Sequence, residues 1–200
     1  MAGVPFVGLT GGLGAGKSES LRALGDLGAA TLSTDAVVHE LLASDELREL
    51  VVARLGDGVA PGGELDRSLI ADRVFGDDGA RAWLEGELWP RVGKRVWGWR
   101  QEVEALDPAP RAAVVEVPLL FESGMESAFD ATIAVVADEA VRAERAGARG
   151  HAAVAERTGR QLSQEEKADR ADFEVRNDGS LGELRESLSR VLARLERTPP

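Results

Sequence analysis

The stretch GGLGAGKS occupies residues 11–18 and decides the fold expected of this chain. It fits the pattern G-x-x-x-x-G-K-[ST], in which a glycine-rich loop wraps around phosphate oxygens. Glycines allow backbone N–H groups to turn inward around an anion, because a Cβ would obstruct that turn. Lys17 is expected to reach the β- and γ-phosphates of a nucleoside triphosphate, and the Ser18 hydroxyl to ligand Mg²⁺. The predicted triphosphate-binding residues of the loop are Gly12, Leu13, Gly14, Ala15, Gly16, Lys17 and Ser18.

The residues on both sides of this loop support the phosphate-binding interpretation. Residues 4–9 form a short apolar run typical of a buried strand, with Pro5 tolerable near its start. Residues 17–27 carry leucines at helical spacing, and Gly28 follows in the position favoured for ending a helix. A helix that begins at the loop points its partial positive charge at a bound phosphate. A glycine-rich turn that precedes Lys17 by chance is the alternative, and the flanking strand and helix argue against it.

The remaining chain alternates between candidate strands and candidate helices. Short apolar runs predict strands, and longer stretches with a 3.6-residue period predict helices. The predicted strands are residues 30–32, 112–117, 131–136 and 173–175, and the predicted helices are 35–54, 65–100, 141–166 and 181–195. Pro90 is expected to break or kink the second of these helices. Strands that alternate with helices indicate a parallel sheet covered on both faces, so the predicted class is α/β, with three layers in the order α/β/α.

The composition argues against several classes of protein. The 200 residues include no cysteine, which excludes disulfides and cysteine-built zinc sites and makes a cytoplasmic location the expectation. The net charge is −11 and no block of basic residues occurs, so no nucleic-acid partner is expected. No apolar run approaches the roughly 20 residues that span a bilayer, so no membrane association is expected. Only Lys17, Lys94 and Lys167 are lysines, which makes the position of each one informative.

Several segments together resemble the dephospho-CoA kinase family. They are TGGLGAGKS at 10–18, Thr34-Asp35 with His39-Glu40, Leu65-Asp66-Arg67, VPLLFE at 117–122, and an ending that contains Lys167, ADF at 171–173 and NDGS at 177–180. They follow the family's order from Val7 to Leu195, and VPLLFE is the most diagnostic, because P-loop kinases for other nucleotides do not usually carry it. The resemblance implies an enzyme that transfers a phosphoryl group from ATP to the ribose 3′-hydroxyl of dephospho-CoA and requires Mg²⁺.

The resemblance also implies how the chain is divided. It implies a single kinase chain with a core at about residues 1–55, 110–140 and 168–200, a helical CoA-binding lobe at about 60–108, and an arginine-bearing lid at about 142–166. All four tryptophans fall within the range of the lobe, which indicates a helical insert with its own apolar face. Stacking of one tryptophan on the substrate is a minor alternative to a role in the core. No oligomeric state is predicted.

Asp35 is the predicted catalytic carboxylate. It matches the second aspartate of the family's D-A-D motif, and a carboxylate there can orient the acceptor hydroxyl and accept its proton. An aspartate that merely begins a helix is the alternative. The first aspartate of that motif is Ser33 here, which is expected to weaken metal binding. His39 matches a family arginine or histidine and is expected to contact substrate phosphate, with a structural histidine as the alternative.

Three residues around the VPLLFE segment are further candidates for the site. Glu116 ends an apolar run, where a Walker B-like carboxylate belongs, and it is expected to contact Mg²⁺ through water. A buried carboxylate held by backbone amides is the alternative for Glu116. By resemblance to the family, Phe121 and Glu122 are expected to border the acceptor pocket.

Arginines between residues 142 and 160 have two interpretations. Arg145 and Arg149 match the family's lid arginines, and they are expected to neutralise charge on the transferring phosphoryl group. A solvated helical face with ion pairs is the alternative for such a charged stretch. Arg142 and Arg160 are expected at the surface.

The turn that begins at Asn177 is the last candidate segment. Asn177 is expected to bind ATP, because such a turn can lie beside the adenine and offer backbone groups to the base edge. The alternative is a structural turn in which Ser180 caps the final helix, and both can hold.

Two rival functions stay open, and four residues that depart from the family pattern motivate the second of them, a degenerate protein. These residues are Glu19, Ser33, Glu116 and Trp89. Glu19 stands in the first turn after the loop, where it would repel a bound phosphate unless it points to solvent. One rival is another nucleoside or nucleotide kinase of the same fold, and the other is a catalytically degenerate nucleotide-binding protein.

Overall fold

A five-stranded parallel sheet organises the first of two units in the computed structural model, which describes residues 3–147 and 161–197. Its strands are β1 (Phe6–Gly11), β2 (Ala30–Ser33), β3 (Ala113–Glu116), β4 (Ala131–Val136) and β5 (Phe173–Arg176). Their spatial order is β2-β3-β1-β4-β5, and every pairing is parallel. The predicted α/β class and parallel sheet are confirmed.

The burial of the strands follows their position in the sheet. Every residue of β1, β3 and β4 is buried, which explains why these strands are near-continuous apolar runs rather than alternating ones. The two edge strands, β2 and β5, are only four residues long. β2 is half-buried throughout, and β5 exposes Glu174 and Arg176.

The first unit comprises Met1–Ser33 and Arg100–Pro200, and four α-helices lie wholly within its described residues. They are α1 (Lys17–Asp26), α6 (Glu139–Gly147), α7 (Gln164–Arg170) and α8 (Leu181–Leu195). α8 matches its predicted range, since its leucines at helical spacing face an apolar core shared with α1 and the strands. Ser180 caps α8 by accepting a hydrogen bond from the Glu183 N–H, as its sequence position predicts.

The second unit, Thr34–Trp99, is helical. It contains α2 (Thr34–Leu42), α3 (Asp45–Leu55), α4 (Arg67–Val74) and most of α5 (Asp78–Glu104). Residues 34–55 belong to this unit, whereas the sequence placed them in the core. The physical reason is their packing, because Leu47, Val51 and Leu55 share an apolar cluster with Leu84 and Leu88 of α5.

The predicted helix over residues 35–54 is two helices that meet at Ser44. The Ser44 hydroxyl donates to the Leu41 carbonyl oxygen at 2.6 Å, and it accepts from the Leu47 N–H at 3.4 Å. A serine that satisfies backbone groups in this way ends one helix and caps the next. The hydrophobic period continues across the break, so periodicity alone could not show it.

Pro90 lies inside α5, which continues for 27 residues, so of the predicted break or kink the break does not occur. Proline in a helix interior costs about 3 kcal/mol through the lost N–H and a clash with the preceding turn. Leu84, Leu88, Val92 and Val96 are buried on both sides of it, and their packing favours the continuous helix. Even at this length, α5 is not apolar enough to cross a membrane, and no other helix in the described part of the chain is long and apolar enough either.

Candidate phosphate-binding and active site

The phosphate loop joins the end of β1 to the start of α1. Gly11 is the last residue of β1 and Lys17 the first of α1, so the strand and helix expected on either side of the loop are present. The Ala15 N–H donates to the Gly12 carbonyl oxygen at 3.2 Å and closes a turn. The Lys17 ammonium donates to the carbonyl oxygens of Gly11 at 3.0 Å and Gly12 at 3.1 Å. A cation therefore lies beside the loop at a helix N-terminus, an arrangement suited to binding phosphate.

Two glycines of the loop allow later segments of the chain to approach closely. Gly14 has a φ of 76°, and a Cβ there would lie 2.6 Å from the Arg142 carbonyl oxygen. Gly16 caps α1 in the left-handed region, with a φ of 96°, and a Cβ there would overlap the carboxamide nitrogen of Asn177. Any other residue at either position would be strained and would push a neighbour away. The loop is therefore packed against α6 on one side and against the turn after β5 on another.

Asn177, in that turn, contacts the loop through its side chain. The residue is 5% exposed, and its Nδ2 donates to the Ala15 carbonyl oxygen at 2.9 Å. Its backbone N–H donates to the Val136 carbonyl oxygen at 2.8 Å, and its own carbonyl oxygen accepts from Arg145 Nη1 at 2.9 Å. The structure thus links the loop, the turn and one of the predicted arginines, while ATP binding by Asn177 stays a prediction.

Arg142, predicted at the surface, is half-buried beside the loop. Its backbone packs against Gly14, and its Nη1 would lie 3.3 Å from a Cβ at Gly12. The Nε atom of Arg142 is buried and has no hydrogen-bond partner among the described residues. A charged helix such as α6 gives no sequence signal for which arginine faces a loop more than 120 positions earlier, which is why the sequence did not single out Arg142. The predictions for Arg149 and Arg160 lie outside the described residues.

A cavity of about 500 Å³ opens beside the loop between α6 and the start of α7. Its lining residues are Gly12, Leu13, Glu139, Arg142, Ala143, Gln161, Leu162, Ser163, Gln164 and Glu165. The Gln164 carboxamide fixes one wall, since it accepts from the Ala137 N–H at 3.1 Å and donates to the Ala137 carbonyl oxygen at 2.8 Å. The pKa of the Glu165 carboxyl is lowered, chiefly by its own backbone N–H and then by Gln164, with a smaller contribution from the Arg142 charge. A nucleotide bound to the loop would have this cavity next to it.

The two residues predicted to hold Mg²⁺ lie at the end of one strand and at the start of one helix. Glu116 is 5% exposed at the end of β3, level with Leu9 of β1 and Ser33 of β2. Ser18 is exposed in the first turn of α1. Within residues 3–147 and 161–197, no cluster of three or more acidic or histidine side chains could hold an ion by itself. The Ser18 hydroxyl and the Glu116 carboxylate are donors that fit Mg²⁺, because in kinases this ion takes one or two protein ligands and completes its shell with phosphate oxygens and water.

Glu19, the residue expected to disturb phosphate binding, forms an ion pair with a neighbouring arginine. Its carboxylate pairs with Arg22 one helical turn later, with 2.5 Å between Oε2 and Nη1. Such an i to i+3 pair neutralises part of the charge that would oppose a bound anion. The pairing explains how an acidic residue is accommodated directly after the loop.

Asp35 and His39 lie on α2, in the second unit. Asp35 is in the first turn of α2 and His39 is four residues later, so both occupy one face of the helix, and both are exposed. α2 begins directly after the carboxyl end of β2. An aspartate that merely begins a helix would occupy the same exposed position, so the catalytic role of Asp35 stays a prediction.

A buried ion pair connects the VPLLFE segment to α7, and the sequence did not reveal it. Lys167 Nζ lies 2.9 Å from Glu122 Oε1, with the two side chains 1% and 12% exposed. Lys167 also donates to the Pro118 carbonyl oxygen at 2.6 Å, and the Leu162 N–H donates to Glu122 at 3.0 Å. Phe121 beside it is buried. The scarcity of lysine and the family-like ending both pointed to Lys167, but neither indicated its partner, which is 45 positions away.

The parallel sheet, the phosphate loop and the buried carboxylate on the strand next to it together define a P-loop kinase. A solved shikimate kinase from Acinetobacter baumannii shares the fold, with a TM-score of 0.51 at 10% identity, covering 96% of this chain and 93% of that one. This likeness concerns the fold alone.

The chain belongs to the dephospho-CoA kinase family. A family model described as Dephospho-CoA kinase matches residues 5–183. A dephospho-CoA kinase from Protochlamydia amoebophila is 38% identical over 195 residues, which cover 95% of this chain and 96% of the relative. A crystal structure of a Thermus thermophilus protein matches with a TM-score of 0.82 at 32% identity, covering 96% of this chain and 98% of that one. The resemblance drawn from the sequence motifs is confirmed.

Proposed function

We propose that the chain catalyses the transfer of the γ-phosphoryl group of ATP to the ribose 3′-hydroxyl of dephospho-CoA, giving ADP and CoA. The observation that carries this proposal is a well-formed phosphate loop in a chain of the dephospho-CoA kinase family. The loop accounts for the ATP end of the reaction, and family membership supports the acceptor. Both substrates are polyanions, which suits a site where cations gather locally in a chain of net charge −11.

On the ATP side, the loop and three cations act on the phosphates. Lys17 moves from the loop carbonyls to the β- and γ-phosphates, and Arg145 and Arg149 neutralise charge that builds on the transferring group. Ser18 directly and Glu116 through water would hold Mg²⁺, which supplies charge neutralisation at the β- and γ-oxygens when bound. A bond forms between the acceptor oxygen and the γ-phosphorus as the bond to the β–γ bridging oxygen breaks.

On the acceptor side, Asp35 orients the 3′-hydroxyl and accepts its proton as the new bond forms. His39, on the same face of α2, contacts a phosphate of dephospho-CoA. Phe121 and Glu122 border the acceptor pocket. The proposed location is the cytoplasm, because the chain has no cysteine. No nucleic-acid partner is proposed, because the net charge is strongly negative.

One assay tests the proposed function. Purified protein is incubated with Mg-ATP and dephospho-CoA, and the product mass and ADP release are measured together. A mass gain of one phosphoryl group at the rate of ADP release is the expected result. The same assay with other nucleosides and nucleotides as acceptors would expose a kinase of different specificity. ATP binding without transfer to any acceptor would contradict the proposal and favour a degenerate nucleotide-binding protein, the rival that Glu19, Ser33, Glu116 and Trp89 motivate.

A further inference from the structure

We infer that Asn177 is a positioning residue of the phosphate loop, which fixes the direction in which the loop presents its N–H groups to a triphosphate. This role differs from the contact with adenine that the sequence motif predicts for the same residue. The inference rests on the proposed function only in taking a triphosphate as the ligand.

The first step of the argument is that Asn177 is itself held by the sheet. Its N–H donates to the Val136 carbonyl oxygen at 2.8 Å, directly after the last β4–β5 pair, Val136 with Arg176. The residue is 5% exposed. Its backbone is therefore an extension of a parallel pairing, and its side chain projects from a fixed support.

The second step concerns the peptide between Ala15 and Gly16. Asn177 Nδ2 donates to the Ala15 carbonyl oxygen at 2.9 Å, in a buried hydrogen bond. A trans peptide is planar, so the carbonyl of Ala15 and the N–H of Gly16 point in opposite directions. Binding the carbonyl on one side therefore fixes the N–H on the other. That N–H belongs to the glycine-rich loop whose amides surround a phosphate in this class of protein.

The third step is steric. A Cβ at Gly16 would overlap Asn177 Nδ2, and Gly16 has a φ of 96°. The last glycine of the loop and the carboxamide of Asn177 therefore fit each other, and only glycine leaves room for the hydrogen bond. Arg145 donates to the backbone oxygen of Asn177, so the carboxamide can be changed without removing that hydrogen bond.

The test replaces the carboxamide by an apolar group of the same branched shape, Asn177→Leu. Affinities of wild type and variant for Mg-ATP and for Mg-tripolyphosphate are measured by calorimetry without acceptor. If Asn177 acts through the loop, both affinities fall by about tenfold, the factor expected when one buried carbonyl loses its hydrogen bond. A loss confined to ATP would assign Asn177 to the base, and unchanged affinities would make its hydrogen bond only structural; either result overturns the inference.

A control variant separates this effect from a general disturbance of the turn. Asp178→Ala removes bonds to the Asp138 N–H and to Arg176 in the same turn, and neither bond involves the loop. Its tripolyphosphate affinity should equal that of the wild type. Transfer to dephospho-CoA is measured separately, so failure of the proposed function does not affect this binding result.

A second measurement uses the wild-type protein, so its result does not depend on whether a variant folds. Asn177 is the only asparagine in the sequence, so asparagine labelled with ¹⁵N gives a single pair of side-chain amide signals. Tripolyphosphate is expected to shift these signals, because the loop tightens around it, whereas adenosine is expected to leave them in place. A shift with adenosine and none with tripolyphosphate would overturn the inference.

Discussion

At the scale of single residues, identical side chains have different roles because of what surrounds them. Lys17 donates to two carbonyl oxygens of the phosphate loop, Lys167 is buried against Glu122, and Lys94 is exposed on α5. The motif around Lys17 is local in sequence, so its role could be predicted from eight residues. The role of Lys167 depends on a turn that follows a different strand, and no local pattern encodes that contact.

Asp35→Asn is expected to abolish most of the transfer while leaving ATP binding intact. Asparagine keeps the size of the side chain but cannot accept the proton of the acceptor hydroxyl. General-base catalysis contributes about 10²- to 10⁴-fold, so kcat should fall by that factor. Steady-state kinetics with dephospho-CoA give kcat, and calorimetry gives the affinity for Mg-ATP, which should stay within about twofold because the loop amides and Lys17 supply most of the binding.

Glu40→Gln is the matched control for this substitution. It removes a carboxylate from an exposed position on the same helix, five residues from Asp35. Its kcat should equal that of the wild type. Full activity of Asp35→Asn would remove Asp35 from the proposed mechanism.

At the scale of elements, the sequence predicted the type of each strand and helix better than its bounds. The predicted ranges for β4 and α8 match the structure, because apolar runs and leucine spacing report burial directly. The end of α2 at Leu42, before the cap of α3 at Ser44, and the continuation of α5 past Pro90 were missed. Both depend on a balance between local preference and tertiary packing, which single-residue signals do not contain.

Lys167→Met is expected to lower the free energy of unfolding by about 3 kcal/mol, because it leaves the carboxylate of Glu122 without its counter-ion in a poorly hydrated position. α7 would also lose its attachment to the Pro118 carbonyl oxygen. Urea unfolding followed by circular dichroism measures the change. The value is a large part of the stability of an ordinary domain, which is about 5–15 kcal/mol.

The double variant Lys167→Met with Glu122→Met is the control for this effect. Replacing both members of a buried pair by apolar groups of similar size is often neutral for stability. The double variant should therefore be more stable than the single one. A double variant that is less stable would mean that the hydrogen bonds to Pro118 and Leu162, rather than the ion pair, hold this region together.

At the scale of the whole molecule, positive side chains gather around the phosphate loop although the net charge is negative. The chain carries a net charge of −11, yet Lys17, Arg142 and Arg145 all lie around the phosphate loop. A few cations in one place can attract a polyanion despite an acidic surface. The family and the fold class followed from motifs spread along the sequence. The membership of residues 34–55 in the second unit did not, because it arises from packing between distant helices.

Mg-ATP is expected to stabilise the protein as a whole. At a free concentration 100 times the Kd, the free energy of unfolding should rise by about 2.7 kcal/mol, since the ligand binds the folded loop and not the unfolded chain. Urea unfolding with and without nucleotide measures the increase. Gly14→Ala should lose most of it, because the added Cβ would lie 2.6 Å from the Arg142 carbonyl oxygen and deform the loop. An equal increase in that variant would place nucleotide binding elsewhere.

The edge strands of the sheet affect how copies of the protein could associate with one another. β2 and β5 are the outer strands among the described residues, each is only four residues long, and β5 exposes Glu174 and Arg176. Short edge strands with charged side chains are poor partners for a strand of a second molecule, so they disfavour aggregation by intermolecular strand pairing. Self-association, where it occurs, would therefore use side-chain surfaces and leave the sheet at five strands.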